Sequence, residues 1–356
     1  MIKTRLLESA SSSVFVPPSG RYPGYLLFAR AGSLVAQPFD ADRLSISGDA
    51  QVISPVGIRP SILGANFSAS ANGVIVLGLR GQLQAQFAWF DRGGKQLGGA
   101  FPSEYHTPRI SPDGKFVAFR RLESIGRSSF WLLDLSREAF SPIADDSGAL
   151  AWSSDSTEVI YRRNDFTFFR KKINSSGVGV PIFSGTSTVS HMDWSPDGKY
   201  LVANRGQFYS VDGKHPVPAP LEPSGGFRFS PDGNWLAFQV QGKEGYEVIV
   251  QSFPDAAIRL QVSTAGGSYP SWRGDGKEIF FRATDGRLTA LTVTPRNNTL
   301  LFGPPEPLFQ IKGELSTAPF TAAPDGQKFL VRVPLSDGSD AEEMTVLTNW
   351  RAGLKQ

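Results

Sequence analysis

Three histidines, His106, His191 and His215, are the only imidazoles in a chain of 356 residues that has no cysteine. His191 stands two residues before Asp193, in Ser190-His191-Met192-Asp193, and His106 lies in Tyr105-His106-Thr107-Pro108. Read as chemistry, His106 and His191 form a ligand-contacting pair with Asp193 as a candidate metal ligand. Read plainly, they are capped or solvated loop histidines. No His-x-Glu or His-x-x-x-His spacing is present, so no metal and no cofactor is expected. The second recurring group is arginine. Arg30, Arg80, Arg120, Arg162, Arg205, Arg282 and Arg332 each follow a short apolar run, with Gln239 in the corresponding place of a further run. Facing one mouth, such arginines would make an anion-binding funnel. Their distance from the last apolar residue varies, however, and side chains alternate faces along a strand, which predicts that they do not all point one way. Strand-end arginines packing their stems on neighbours explain the pattern as well. The candidate ligand-binding residues are therefore His106, His191, Asp193, Arg120, Arg162, Arg205 and Arg282. No Gly-x-Ser-x-Gly elbow, phosphate loop or dinucleotide fingerprint occurs, and no catalytic residue is expected.

The elements that must position these residues are announced by a turn. Ser-Pro-Asp-Gly occurs at Ser111–Gly114, Ser195–Gly198 and Ser230–Gly233. Worn copies begin at Ser70, Ser153, Arg273 and Ala323. Pro presets φ for a type I turn, and Gly accepts the positive φ after it, a common hairpin connection. A calcium reading of the turn Asp is weak, because an Asp bonding its own backbone needs no ion and no copy shows spaced carboxylates. An apolar or aromatic residue precedes most copies (Ile110, Trp152, Trp194, Phe229, Trp272), and an apolar run such as Trp235-Leu236-Ala237-Phe238 follows. These runs are too short for helices and read as strands covered on both faces. The tryptophans read as core residues first and ligand platforms second. Third strands follow at Phe130–Leu135, Tyr246–Val250 and Leu288–Val293, and a weaker fourth at Gln261–Ser263.

Turns spaced 35 to 50 residues apart, flanked by strands, mark β-propeller blades. An upstream unit without the turn carries Tyr25–Arg30 and Ser33–Asp40. The expected fold is all-β: one propeller domain over residues 1–356, with eight four-stranded antiparallel blades near 12–50, 51–100, 101–143, 144–185, 186–222, 223–264, 265–311 and 312–350. Met344-Thr345-Val346-Leu347 is the expected third strand of the last unit, and Lys3–Leu7 the strand that closes the ring. Seven blades with irregular ends is the alternative.

Composition suits this reading: 40% hydrophobic residues, 37 Gly and 26 Pro. No run of 18 apolar residues is present, and the start lacks the apolar run of a signal peptide. The absence of cysteine excludes disulfides and fits either side of a membrane. A net charge of +3 without a Lys/Arg run gives no reason to expect nucleic acid. Asp337-Gly338-Ser339-Asp340-Ala341-Glu342-Glu343 reads as a solvated acidic loop.

The Trp-Ser-Pro-Asp-Gly repeats resemble the TolB-like propellers. Pro23–Phe28, Leu34–Asp40 with its Gln-Pro-Phe-Asp segment, Trp89–Lys95, Gln261–Thr264 and the tail Asn349–Lys355 further resemble the C-terminal propeller region of bacterial membrane-bound serine/threonine protein kinases. In that family a kinase domain and a transmembrane helix precede an extracytoplasmic propeller that senses a ligand or a protein. None of the kinase motifs is present, so kinase activity cannot be carried to any residue here. The resemblance places Met1 well inside the extracytoplasmic region, as in a fragment, a truncated reading frame or a stand-alone relative. It implies a periplasmic site, although no segment here directs export.

The leading expectation is a non-catalytic recognition propeller that binds a protein or small molecule on one loop face. One alternative is a metal-assisted lyase of the oligogalacturonate type, through His106 and His191. Another is an assembly scaffold, which predicts an exposed apolar patch. A prolyl-oligopeptidase reading fails because no hydrolase domain follows.

Overall fold

The computed structural model describes residues 13–30, 33–54, 67–70, 72–79, 85–101, 105–124, 127–145, 147–163, 165–185, 191–203, 206–215, 217–218, 221, 224–243, 245–312, 319–334 and 343–354. Nearly all of it is β-structure, in antiparallel sheets of three to five strands. No helix among the described residues is long and apolar enough to cross a membrane, which says nothing of spanning strands. The chain divides into two compact units, one of residues 85–335 and one of 1–84 with 336–356.

The turn motif folds as its chemistry predicts. Ser111 Oγ donates to Asp113 Oδ1 at 2.6 Å and accepts from Phe116 N at 3.0 Å, while Asp113 Oδ1 accepts from Lys115 N. The same closure recurs at Ser153, Ser195 and Ser230. Gly114, Gly198 and Gly233 sit at φ 72°, 76° and 75°, the left-handed region that glycine enters without a Cβ penalty. Ser156 holds φ 62° in the worn copy. The turn carboxylates are thus engaged in closing their own turns.

Six sheets make up the larger unit. The first contains Tyr105–Ile110, Phe116–Ser124, Arg127–Asp134 and Ala139–Ala144, and the second Ser147–Trp152, Glu158–Arg163, Thr167–Lys172 and Val180–Ser184. The third is Met192–Trp194, Tyr200–Ala203 and Gln207–Ser210, and the fourth Ser224–Phe229, Trp235–Gln241, Tyr246–Ser252 and Arg259–Gln261. In the fifth, Gly267–Trp272, Glu278–Ala283 and the long Arg287–Arg296 are followed by Thr299–Phe302 and Glu306–Gln310, both paired with that long strand. The sixth joins Phe320–Ala322 and Lys328–Pro334 to Ala85–Asp91 and Gln96–Phe101. The first strands of successive sheets lie side by side from the second sheet to the sixth, and Phe320–Ala322 also lies beside Tyr105–Ile110. The sequence of neighbours therefore returns on itself. Second strands are covered on both faces: Val117, Ala118, Phe119, Leu201, Val202, Ala237 and Phe238 are all buried. That explains why they read as continuous apolar runs.

The smaller unit contains Val14–Val16, Tyr25–Arg30, Ser33–Asp40, Ser45–Ile46 and Gln51–Ser54 in one sheet, and Phe67–Ala69, Ile75–Leu79 and Glu343–Leu347 in another. Tyr25, Leu27, Leu34, Ile75, Leu77 and Trp350 form its core, and Trp350 Nε1 donates to Gly73 O at 2.7 Å.

The number of sheets matches the number of repeat units, but the strands are allocated differently. The expected third strand of the last unit, Met344–Leu347, pairs with Ile75–Leu79, while Lys328–Pro334 pairs with Ala85–Asp91. The unit expected at 51–100 is divided among three sheets and that at 312–350 between two. Among the described residues, six sheets lie in the larger compact unit and two in the smaller. Both ladders satisfy the backbone equally well, and turn spacing carries no information about which strand is the partner. The fourth strand of the fourth sheet is Arg259–Gln261, two residues earlier than expected. Lys3–Leu7 and Asp337–Glu342 lie outside the described residues.

Candidate functional site

A cavity of about 530 Å³ opens at the turn end of the larger unit, and all six of its sheets contribute to the wall. Turn prolines Pro112, Pro196, Pro231 and Pro324 stand around it. Deeper in, each sheet presents the residue two places before the first residue of its turn: Arg109, Ala151, Asp193, Arg228, Ser271 and Thr321. The repeat itself makes this ring of equivalent positions. Just before three of them the innermost strand is bulged, with register breaks at His106/Arg109, Gly225/Arg228 and Ser268/Ser271. The backbone passes through positive φ at Thr107 (46°), Gly226 (66°) and Tyr269 (57°), each four residues before its turn. Bulges re-aim the side chains that follow, and here those are Arg109, Arg228 and Ser271.

Tryptophans hold the ring from behind. Trp152 Nε1 donates to Arg109 O at 3.0 Å across the first and second sheets, and Trp272 Nε1 to Arg228 O at 3.1 Å across the fourth and fifth. Both rings are largely buried, and both also line the cavity wall. Asp113 N donates to Ser156 Oγ at 3.0 Å and Ser154 Oγ to Pro196 O at 2.8 Å, tying neighbouring turns around the mouth.

The charged members are few and close. Arg109 Nη2 donates to Met192 O at 2.8 Å, and Arg228 Nη1 to Phe227 O at 2.6 Å. Asp193 Oδ2 accepts from Phe229 N at 2.8 Å. Enclosure by protein, with the nearby Arg228 charge, lowers the Arg109 pKa to about 9, leaving it protonated at neutral pH. Burial also lowers Arg228, against the pull of Asp193. Asp193 is raised by its burial, which Arg228 and Arg109 only partly oppose. His191 falls to about 4 because it is buried and both guanidiniums repel its proton.

The structure places the other candidates elsewhere. His106 pairs with Arg120 at the start of the innermost strand of the first sheet, away from the turn, and its side chain lies outside the described residues. His191 precedes the innermost strand of the third sheet. Among the described residues no three His, Cys, Asp or Glu side chains gather as a metal site, and the neutral His191 beside two guanidiniums is a poor seat for a cation. Arg120, midway along Phe116–Ser124, and Arg162 and Arg282, each next to the last residue of its strand, do not line the cavity. Counted from the turn rather than from the last apolar residue, they and Arg332 share one register with Gln239, which reaches the next sheet through Tyr269 N at 2.8 Å. Arg205 and Arg80 lie outside the described residues, and Arg30, exposed in the smaller unit, stacks on Phe28. His215 lies 3.6 Å from Asp212, in a turn. Sequence reasoning picked out Asp193 but missed Arg109 and Arg228. Aligning the repeats on the turn would have found both, at the same offset as Asp193.

No family model matches the chain, and no curated protein matches it in sequence. Among solved structures, a protein from Agrobacterium tumefaciens assigned as TolB matches with a TM-score of 0.54 at 18% identity, over 71% of this chain and 99% of that one. TolB from Acinetobacter baumannii matches with a TM-score of 0.44 at 14% identity, over 89% of this chain and 79% of that one. The first of these matches, with the antiparallel sheets, identifies a TolB-like β-propeller fold.

Proposed function

We propose that this chain is a non-catalytic recognition module, with the larger unit a six-bladed ring whose turn-side cavity receives a protein segment or a small ligand. One observation carries the reading. All six sheets deliver an equivalent residue to a single cavity, and the charged ones among them are not consumed by pairing with each other. The cavity volume of about 530 Å³ lies within the range usual for ligand sites. The charged ring contains no nucleophile–base pair of the kind covalent catalysis needs, which favours binding over turnover. Protein recognition is the favoured use, because the cavity opens among turns of all six sheets, where a peptide segment can enter. Within this reading the resemblance to kinase-linked propellers suggests a sensing role outside the cytoplasm.

The test is selection of a random displayed-peptide library on the purified chain, repeated with Ser271→Trp, which fills the cavity from a half-buried position. Peptides enriched on the wild type and lost with the filled variant, at unchanged melting temperature, support the reading. Failure to enrich any peptide overturns protein recognition, and enrichment indifferent to the filling overturns this cavity as the site.

A further inference from the structure

The six axial positions hold two cations and one anion. Arg109 and Arg228 belong to the first and fourth sheets, three steps apart among six, and so face each other across the cavity. A guanidinium carries five N–H donors in a planar fork suited to carboxylate oxygens. Each of these two gives one N–H to a backbone carbonyl, Met192 O or Phe227 O, and both line the cavity. Asp193 is the only acidic side chain among the six positions, and it uses one oxygen on Phe229 N. Among the described residues no ion pair joins it to either arginine. The six equivalent positions therefore carry one positive charge in excess, between Pro and Trp residues where water screens poorly, while the other lining carboxylates, Asp113 and Asp155, are spent on closing their own turns.

We propose that Arg109 and Arg228 form a carboxylate-binding subsite at the cavity floor, filled by an acidic side chain or the C-terminal carboxylate of a peptide entering from the turn side. The inference rests on the recognition reading of the same cavity. A carboxylate matches the single excess charge, whereas a phosphate dianion would overshoot it and press on Asp193. Asp193, which lines the same cavity and is engaged by the Phe229 and Trp194 backbone N–H groups, would repel a second anion and so favour a single carboxylate.

The experiment measures fluorescence anisotropy of three labelled probes on the full chain: tetra-alanine with a free C-terminus, its C-terminal amide, and the amide of the same length with one internal Glu. Saturable binding of the free acid or the Glu amide, with the neutral amide at least about tenfold weaker, is the expected result. Preference for the first identifies a chain terminus, and for the second a side chain. Arg109→Gln and Arg228→Gln should each weaken the charged probe about 10- to 100-fold, the range of a charge-assisted hydrogen bond. Ser271→Glu, which adds a carboxylate to the ring without touching either arginine, should abolish binding even if an arginine variant folds poorly. No binding of any probe, equal binding of the neutral amide, or binding indifferent to Arg228→Gln and Ser271→Glu overturns the subsite. Library peptides that need the open cavity, yet are neutral and indifferent to the arginine variants, leave recognition standing while the carboxylate subsite falls.

Discussion

Glu278 should be the single most costly carboxylate to remove from the larger unit. It is 7% exposed and lies on the second strand of the fifth sheet. Its Oε2 accepts from Arg92 Nη1 at 3.1 Å and from Arg273 Nη1 at 2.8 Å, and its Oε1 from Arg92 Nη2 at 3.0 Å. Arg92 sits in the turn between Ala85–Asp91 and Gln96–Phe101, so this contact clamps the early-sequence half of the sixth sheet to the fifth. The guanidiniums are about a quarter exposed, at 25% and 23%, and water weakens each bond accordingly. Three charge-assisted bonds at about 1 kcal/mol net each suggest that Glu278→Ala costs about 3 kcal/mol. Arg273 keeps Asp275, and Arg92 keeps Gly326 O, which limits the loss. Urea unfolding followed by tryptophan fluorescence measures it, and a cycle with Arg92→Gln isolates the pair. A loss below about 1 kcal/mol, or effects of the two changes that add within about 0.5 kcal/mol, would refute the reasoning.

Two further outcomes follow from the same geometry. His191 is held neutral in the folded state, with a pKa of about 4, below its unfolded value. Its contribution is complete above about pH 6.5 and is lost as the pH falls from there to about 4, by about 2 kcal/mol after allowing for its partial exposure. His191→Gln should therefore flatten that part of the stability profile between pH 7.5 and 4.5, and an unchanged slope would count against the burial argument. Ser156 adopts φ 62° and accepts the bond from Asp113 N. Ser156→Ala loses the bond and keeps the strain, whereas Ser156→Gly loses the bond and relieves it. Thermal melts should place Ala below Gly by about 0.5–1 kcal/mol, and the reverse order would refute the strain assignment.

The turn motif made the all-β architecture readable because each residue in it has a local job: Pro sets φ, Ser and Asp close the loop, Gly takes the left-handed place. Such local chemistry survives without knowledge of neighbours. Partner choice does not. Glu343–Leu347 has the apolar pattern of a third strand in any sheet, and nothing in its residues says that Ile75–Leu79, rather than Lys328–Pro334, lies alongside. The candidate site was half readable. Asp193 drew notice through its histidine neighbour, whereas Arg109 and Arg228 looked like ordinary strand residues until the repeats were placed in one register. Arg120, Arg162 and Arg282 vary in distance from the last apolar residue but share one register counted from the turn, and that register lies outside the cavity lining. The bulges at Thr107 and Tyr269, which turn the axial residues inward, involve positive φ in residues that give no sequence warning.

The pairing of Ala85 with Pro334 means that the larger unit begins and ends on adjacent strands, roughly 5 Å apart. In the smaller unit, Leu79 pairs with Glu343. Topologically, then, the larger unit is a guest spliced into a host sheet, and the host's ladder resumes a few residues after the guest ends. A guest with neighbouring ends can be gained, lost or exchanged without unthreading the host, which offers a route by which a repeat protein changes its number of sheets. The same arrangement has a mechanical side. Tension on the two connecting segments would part the Ala85–Asp91 and Lys328–Pro334 strands one bond at a time from their ends, so the seam that completes the larger unit is also where a pull would first release it.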